Sequence, residues 1–251
     1  MFRGEVVGQE PRQILTAARL TRLGADLQGD GPLDFVVLPM NCADVPEAME
    51  RIKPGGSCFC IRPGAAVAAR AKERKIRLVD LNTDPAFKRR NGVSTAEAAL
   101  ALAVGNTQDT LFGSPVLVVG FGAIGSRLCR ILTALGAKVT CSARRPEDLV
   151  QIVVEGARAV HTDALTQTAR PYAVIFNTVP APVLTGQFLA TQGADCLILD
   201  LASGSGGLPE GVKPARYIQA LALPGKTAPM AAARAAADTI WDRLEGQHAE
   251  G

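Results

Sequence analysis

Gly120-Phe121-Gly122-Ala123-Ile124-Gly125 has the spacing G-x-G-x-x-G, and its flanks leave few folds open. Val116-Leu117-Val118-Val119 precedes it as an apolar run of strand length. Behind it Ile124, Leu128, Ile131, Leu132 and Leu135 recur at helical spacing, Gly136 stops the helix, and Lys138-Val139-Thr140-Cys141-Ser142 reads as a second strand. Strand, glycine turn, helix and strand in this order predict a dinucleotide-binding unit. The first glycine permits the tight turn, the second lets the backbone approach a pyrophosphate, and the third lets helix and strand pack closely. The helix N-terminus then points its N–H groups at the phosphates. A bare glycine pattern could be only a tight structural turn; its place between a strand and a helix favours the cofactor. The expected contacts on this side are Gly120, Phe121, Gly122, Ala123, Ile124 and Gly125.

The end of the second strand bears on which dinucleotide is bound. An NAD site places Asp or Glu about 20 residues after the glycines, where it accepts from the ribose 2′-hydroxyl. Here that neighbourhood is Ser142-Ala143-Arg144-Arg145, with no carboxylate before Glu147. Two arginines suit a 2′-phosphate, which they grip by charge-assisted, bidentate hydrogen bonds. NADP is the expected cofactor, with NAD the alternative.

The N-terminal part repeats the strand, turn and helix theme. Glu5-Val6-Val7 ends at Gly8, and Pro11-Arg12-Gln13 opens an apolar-periodic helix that stops at Gly24. Asp34–Pro39, Ser57–Ile61 and Ile76–Leu81 read as strands, with a helix-favouring Ala65–Arg70 between the last two. Ser94-Thr95-Ala96-Glu97 is a capping box, predicting a helix start before an all-round apolar run that ends near Gly105 or Asn106. Beyond the glycine turn, Ala157–Val160, Ala173–Phe176 and Cys196–Leu199 are further strands, and Ala228–Leu244 is helical with a frayed tail from His248. The expected fold is α/β with two Rossmann-like domains, the second a doubly wound parallel sheet that binds the dinucleotide. The domains expected are an α/β substrate domain over 1–93, a connector helix over 94–111, the dinucleotide domain over 112–228, and a C-terminal helix and tail over 229–251.

Ligands of such sheets lie outside the strand C-termini, so the residues there are the candidates. Asn177-Thr178-Val179-Pro180 offers an amide and a hydroxyl where ribose or nicotinamide is commonly held, or else a turn braced by its own side chains. Ser203 and the Gly206-Gly207 pair allow backbone close to nicotinamide or substrate. Lys226, before the last helix, and Arg12, at the mouth of the first, are the cations expected to grip an anionic substrate. Lys226, Ser203 and Arg12 are also the candidates for catalysis, with no residue assigned as a base. With only His161 and His248 available, no metal site is expected and histidine catalysis has little to draw on.

A net charge of +3 with short basic clusters such as Lys88-Arg89-Arg90, and 4% aromatic residues, argue against nucleic acid. The six cysteines contain no C-x-x-C pair and sit in apolar contexts, as free thiols of a reducing compartment do. No signal peptide and no run of eighteen apolar residues is visible, so no membrane association and a cytoplasmic location are expected.

With these motifs in place, the chain resembles the dipicolinate synthase A-subunit family from Asn91 to about Ile240. The likeness rests on Thr95-Ala96-Glu97, Gly113-Ser114, the glycine turn, Ala143-Arg144 and His161-Thr162-Asp163. It continues through Asn177-Thr178-Val179-Pro180, Leu199-Asp200-Leu201-Ala202-Ser203, Gly206-Gly207, Leu223-Pro224-Gly225 and Ala228-Pro229, with Gly8 and Arg12-Gln13 similar to the family's opening turn. Departures are a short Gly24–Ser57 segment, Ala123 where arginine is common, and Ser205 in place of proline.

The resemblance implies NADP-dependent oxidation of dihydrodipicolinate to dipicolinate in the mother cell of a sporulating bacterium, beside the flavoprotein-like B-subunit of dipicolinate synthase. It implies cofactor contacts from the glycine turn, Ser142, Arg144, Arg145, Asn177, Thr178 and Pro180. Substrate contacts would come from Arg12, Gln13, Thr95, Glu97, Ser203, Gly206, Gly207 and Lys226. Two alternatives stand beside it. One is an NADP-binding scaffold or sensor within a flavoprotein complex. The other is a 2-hydroxyacid dehydrogenase, whose chemistry needs a histidine that the loop before the last helix lacks; adenosylhomocysteine hydrolase meets the same objection. A homo-oligomer is possible.

Overall fold

A computed structural model describes residues 1–203, 206–212 and 214–249; Gly204, Ser205, Lys213, Glu250, Gly251 and the side chains of His248 and Ala249 lie outside the described residues. The chain divides into two compact units, Met1–Asn91 with Pro224–Gly251, and Gly92–Leu223.

The first unit contains β1 (Gly4–Val6), α1 (Pro11–Leu23), β2 (Leu33–Val37), β3 (Ile52–Cys60), α2 (Ala65–Glu73) and β4 (Arg77–Asp80). All pairings are parallel and the order is β1-β2-β3-β4. Parallel strands are buried on both faces, hence the continuous apolar runs. Phe35 and Phe59 enter one layer with Leu20 of α1, whereas Val36 and Cys58 enter another with Val67 and Ala71 of α2. Each such fully buried large side chain stabilises by about 1.5–3 kcal/mol. Gly24 ends α1 in the left-handed region, φ 107°, where its N–H reaches the Leu20 and Thr21 carbonyls.

Helix α3 (Pro85–Asn106) corrects the reading of the capping box. The cap is Asp84, whose Oδ1 accepts from the Ala86 and Phe87 N–H groups at 2.7 and 3.0 Å, with Pro85 in the first turn. Nothing from Pro85 to Asn91 breaks a helix, so Ser94 and Thr95 fall in its interior and are buried. A local S-x-x-E pattern cannot reveal that a stronger start lies ten residues upstream.

The second unit continues with β5 (Pro115–Val119), α4 (Gly125–Ala134), β6 (Lys138–Ala143), α5 (Pro146–Val154), β7 (Arg158–His161), β8 (Val174–Asn177), α6 (Gly186–Leu189), β9 (Leu197–Asp200) and β10 (Tyr217–Gln219). The six strands are parallel in the order β10-β9-β8-β5-β6-β7. The chain therefore moves outward from β5 through β6 to β7, then returns to β5's other side with β8. That reversal is the topological switch point, and it opens a crevice outside the ends of β5 and β8. Alternate residues of β5 serve opposite layers: Val116 and Val118 pack with Leu128 and Leu132 of α4, while Leu117 and Val119 pack with Ile175, Phe188 and Ile198. The strand β10 is absent from the sequence expectations.

The chain closes with α7 (Leu223–Thr227) and α8 (Pro229–Ala249). Helix α8 belongs to the first unit, where Ala235, Ala236 and Ile240 meet Leu20, Phe35 and Phe59. Arg19–Asp238 at 2.9 Å and Arg243–Asp84 at 2.8 Å fasten it. The helix includes His248 and Ala249, the first residues of the tail expected beyond it, and Glu250 and Gly251 lie outside the described residues. Among the described residues no helix is long and apolar enough to cross a membrane.

Candidate functional site

At the end of β5, Gly120 has φ 93°, and its N–H donates to the Ser142 carbonyl at 3.0 Å. A Cβ there would stand 2.6 Å from Thr178 Oγ1, and one on Gly125 would overlap the Gly120 carbonyl oxygen. These two glycines are demanded by the fold itself. Gly122 is different: it is exposed, has no left-handed φ, and a Cβ on it would meet nothing within 4 Å. The protein's own atoms impose no glycine at 122, which leaves a ligand's close approach as the physical reason. Helix α4 starts directly behind with no side-chain cap and no acidic residue in its first turn; its Ser126 N–H donates to the Gly122 carbonyl at 3.0 Å, and the other first-turn N–H groups are the ones suited to an anion. These features fit a bound pyrophosphate. Ala123, where the resemblance led to arginine, has its carbonyl against α3: a Cβ on Gly92 would be 2.6 Å from that oxygen.

Register aligns Val119 with Ser142 on one side and with Asn177 on the other, and Asn177 with Asp200. The C-terminal ends of four strands thus form one row. Ser142 is fully buried; its Oγ lies 3.4 Å from Gly120 N and accepts from Thr162 Oγ1 at 3.4 Å. It braces the turn from behind. Arg145 gives Asp148 two hydrogen bonds, of 2.8 and 2.7 Å, and has Glu147 at 3.5 Å. Arg144 is exposed and has no ion pair among the described residues. The two-arginine expectation therefore separates into one engaged guanidinium and one available for a ligand.

The Asn177 amide, expected at the cofactor, is spent inside the fold. Asn177 is fully buried; Nδ2 donates to the Val179 carbonyl at 3.0 Å and to Asp200 Oδ1 at 2.9 Å, while Oδ1 accepts from Val179 N. The Thr178 hydroxyl likewise donates to the Val119 carbonyl at 2.8 Å. Pro180 is exposed beyond them.

Asp200, which the sequence places at a strand end without assigning it a role, is buried at 0% exposure. Oδ1 accepts from Asn177 and from Ala202 N at 3.0 Å; Oδ2 accepts from Gly207 N at 2.7 Å and Tyr217 Oη at 2.9 Å. Burial, joined by this carboxylate, pushes the Tyr217 phenol up to about 12. The Gly206-Gly207 pair acquires a packing reason here. A Cβ on Gly206 would sit 2.5 Å from Asp200 Oδ2, and one on Gly207 would overlap the Asn177 amide. Half-buried Ser203 begins the loop that this network anchors. The available signal was a lone carboxylate ending the apolar run Cys196-Leu197-Ile198-Leu199.

In the first unit, Arg12 occupies the first turn of α1. Its nearest polar contact is Met40 Sδ at 3.9 Å, and no carboxylate pairs with it among the described residues. Burial lowers its pKa from the ordinary value, with Glu10 pulling the other way. The Gly225 backbone lies beside it, where a Cβ would be 3.4 Å from the guanidinium, so exposed Lys226 is next along the chain. A partly buried cation without a carboxylate partner among the described residues is a candidate to meet an anionic ligand. Gln13 does not share that role: it is buried and its Nε2 donates to the Val7 carbonyl at 3.0 Å. Thr95 is buried within α3 and Glu97 is exposed on it.

Residues 92–192 match the family model described as D-isomer specific 2-hydroxyacid dehydrogenase, NAD binding domain. Over 187 residues, 73% of this chain, the sequence is 33% identical to the A-subunit of dipicolinate synthase from Bacillus subtilis (strain 168), and the match spans 62% of that relative's length. The crystal structure of the Bacillus subtilis A-subunit superposes with a TM-score of 0.88 at 26% identity, covering 100% of this chain and 98% of that one. The crystal structure of the A-subunit from Bacillus halodurans gives 0.87 at 24% identity, with 97% of each chain covered.

Proposed function

We propose that the chain, which is similar to the A-subunit of dipicolinate synthase and carries a dehydrogenase-type domain for a nicotinamide dinucleotide, oxidises dihydrodipicolinate to dipicolinate with NADP. The bound nicotinamide supplies the hydride acceptor. The glycine turn and the start of α4 hold the pyrophosphate, and Arg144 takes the 2′-phosphate by charge-assisted hydrogen bonds. Loss of hydride and a proton leaves an aromatic pyridine, so positioning and charge neutralisation carry more of the work than a strong base does. Arg12 supports this reading most directly, as a desolvated guanidinium suited to a substrate carboxylate, with Lys226 as the second cation. A flavoprotein-like B-subunit, present with it in the cytoplasm of a sporulating mother cell, completes the proposal.

Two binding measurements test it. Arg12→Ala is expected to weaken calorimetric binding of dipicolinate about ten- to a hundredfold, the scale of one hydrogen bond to a charged group. Arg12→Ala and Lys226→Ala proteins that both bind it like the parent would sink the assignment. Arg144→Ala is expected to weaken NADP⁺ at least about tenfold and leave NAD⁺ unchanged. Equal affinity of the parent protein for both dinucleotides would rule out the 2′-phosphate role.

A further inference from the structure

We infer that His161 is the positioning residue that holds Arg144 for a 2′-phosphate, an inference that rests on the NADP reading above. Ala143, the last residue of β6, pairs with His161, the last of β7, which brings the imidazole alongside the next residue, Arg144. Nε2 of His161 lies 3.2 Å from the Arg144 carbonyl oxygen. Nδ1 accepts from the Asp163 N–H at 3.4 Å, so in the neutral ring the proton sits on Nε2, which donates to that carbonyl.

Arg144 is the single residue between β6 and Arg145, the cap of α5, and Arg145 is itself tied to Asp148. The neighbouring Thr162 reaches Ser142 from the same strand end. The backbone on both sides of Arg144 is therefore held, and its own carbonyl is held by His161. A long side chain bound at its base loses less freedom when it closes on a phosphate, which is the energetic content of preorganisation. The His161 side chain is 43% exposed, so it can be replaced without opening a defect in the core.

The test compares adenosine 2′,5′-bisphosphate with 5′-AMP, bound to the full chain and followed by calorimetry, with melting temperature as a control. The parent protein is expected to prefer the bisphosphate. His161→Phe is expected to lose about five- to tenfold for the bisphosphate and less than about twofold for 5′-AMP, the scale of one hydrogen bond. His161→Gln, which keeps a donor, is expected to restore most of the loss. Equal weakening of both nucleotides by His161→Phe would mark a merely structural role and overturn the inference. Parental binding of both by His161→Phe, while Arg144→Ala loses the preference, overturns it and leaves the NADP reading intact. No preference in the parent protein overturns both.

Discussion

Asp200→Ala is expected to destabilise the second unit by about 3–5 kcal/mol, because several donors lose one acceptor and each buried donor left unsatisfied costs about 1–3 kcal/mol. The substitution takes their shared acceptor from Asn177 Nδ2, Ala202 N, Gly207 N and the half-buried Tyr217 Oη, and of these Asn177 keeps its bond to the Val179 carbonyl. Unfilled donors cost more than the lost bonds contributed, because each forfeits solvation that the unfolded chain still has. Urea unfolding of the full chain measures it, and a change below about 1 kcal/mol would mean the network does not hold the strand ends. Tyr217→Phe removes a single bond and is expected to cost about 1 kcal/mol.

Gly122→Ala is expected to do the reverse, abolishing function while sparing the fold. A methyl there meets nothing within 4 Å, so the melting temperature should stay within a degree or two of the parent's. The same methyl occupies the space that the second glycine keeps open for the pyrophosphate, and dinucleotide affinity should fall by about a hundredfold or more. Gly125→Ala is the matched control, since its Cβ would overlap the Gly120 carbonyl and should damage both properties. Undiminished cofactor binding by a well-folded Gly122→Ala protein would remove the turn from the site.

Much of the architecture was legible because it is encoded locally. The apolar runs at Phe35-Val36-Val37, Val116–Val119 and Leu197–Leu199 are buried on both faces, so each announces a parallel strand without reference to its neighbours. Tyr217-Ile218-Gln219 did not, since three residues at a sheet edge carry no readable period; pairing with Ile198, Leu199 and Asp200 makes them a strand. The start of α3 was misplaced for a related reason. The pattern at Ser94 and the cap at Asp84 are both local, and only the uninterrupted helix between them decides which is used.

The candidate site divides along the same line. Spacing identified the glycine turn and the absence of a carboxylate after β6, and position at a helix start identified Arg12 and Lys226 as candidate cations. Those features depend on which residue types stand at fixed distances along one segment. The roles of Asn177, Asp200 and Gly207 depend instead on a register that places residue 177 opposite residue 200. The distinction between Arg144 and Arg145 depends on Asp148 returning one helical turn later to claim the second of them. Backbone conformation and hydrophobic period are properties of a segment, so the sequence by itself determined the glycine turn and every strand but the short edge strand β10. Partner choice among buried polar groups is a property of strand order and register, and only the tertiary structure decided which side chains were left for a ligand.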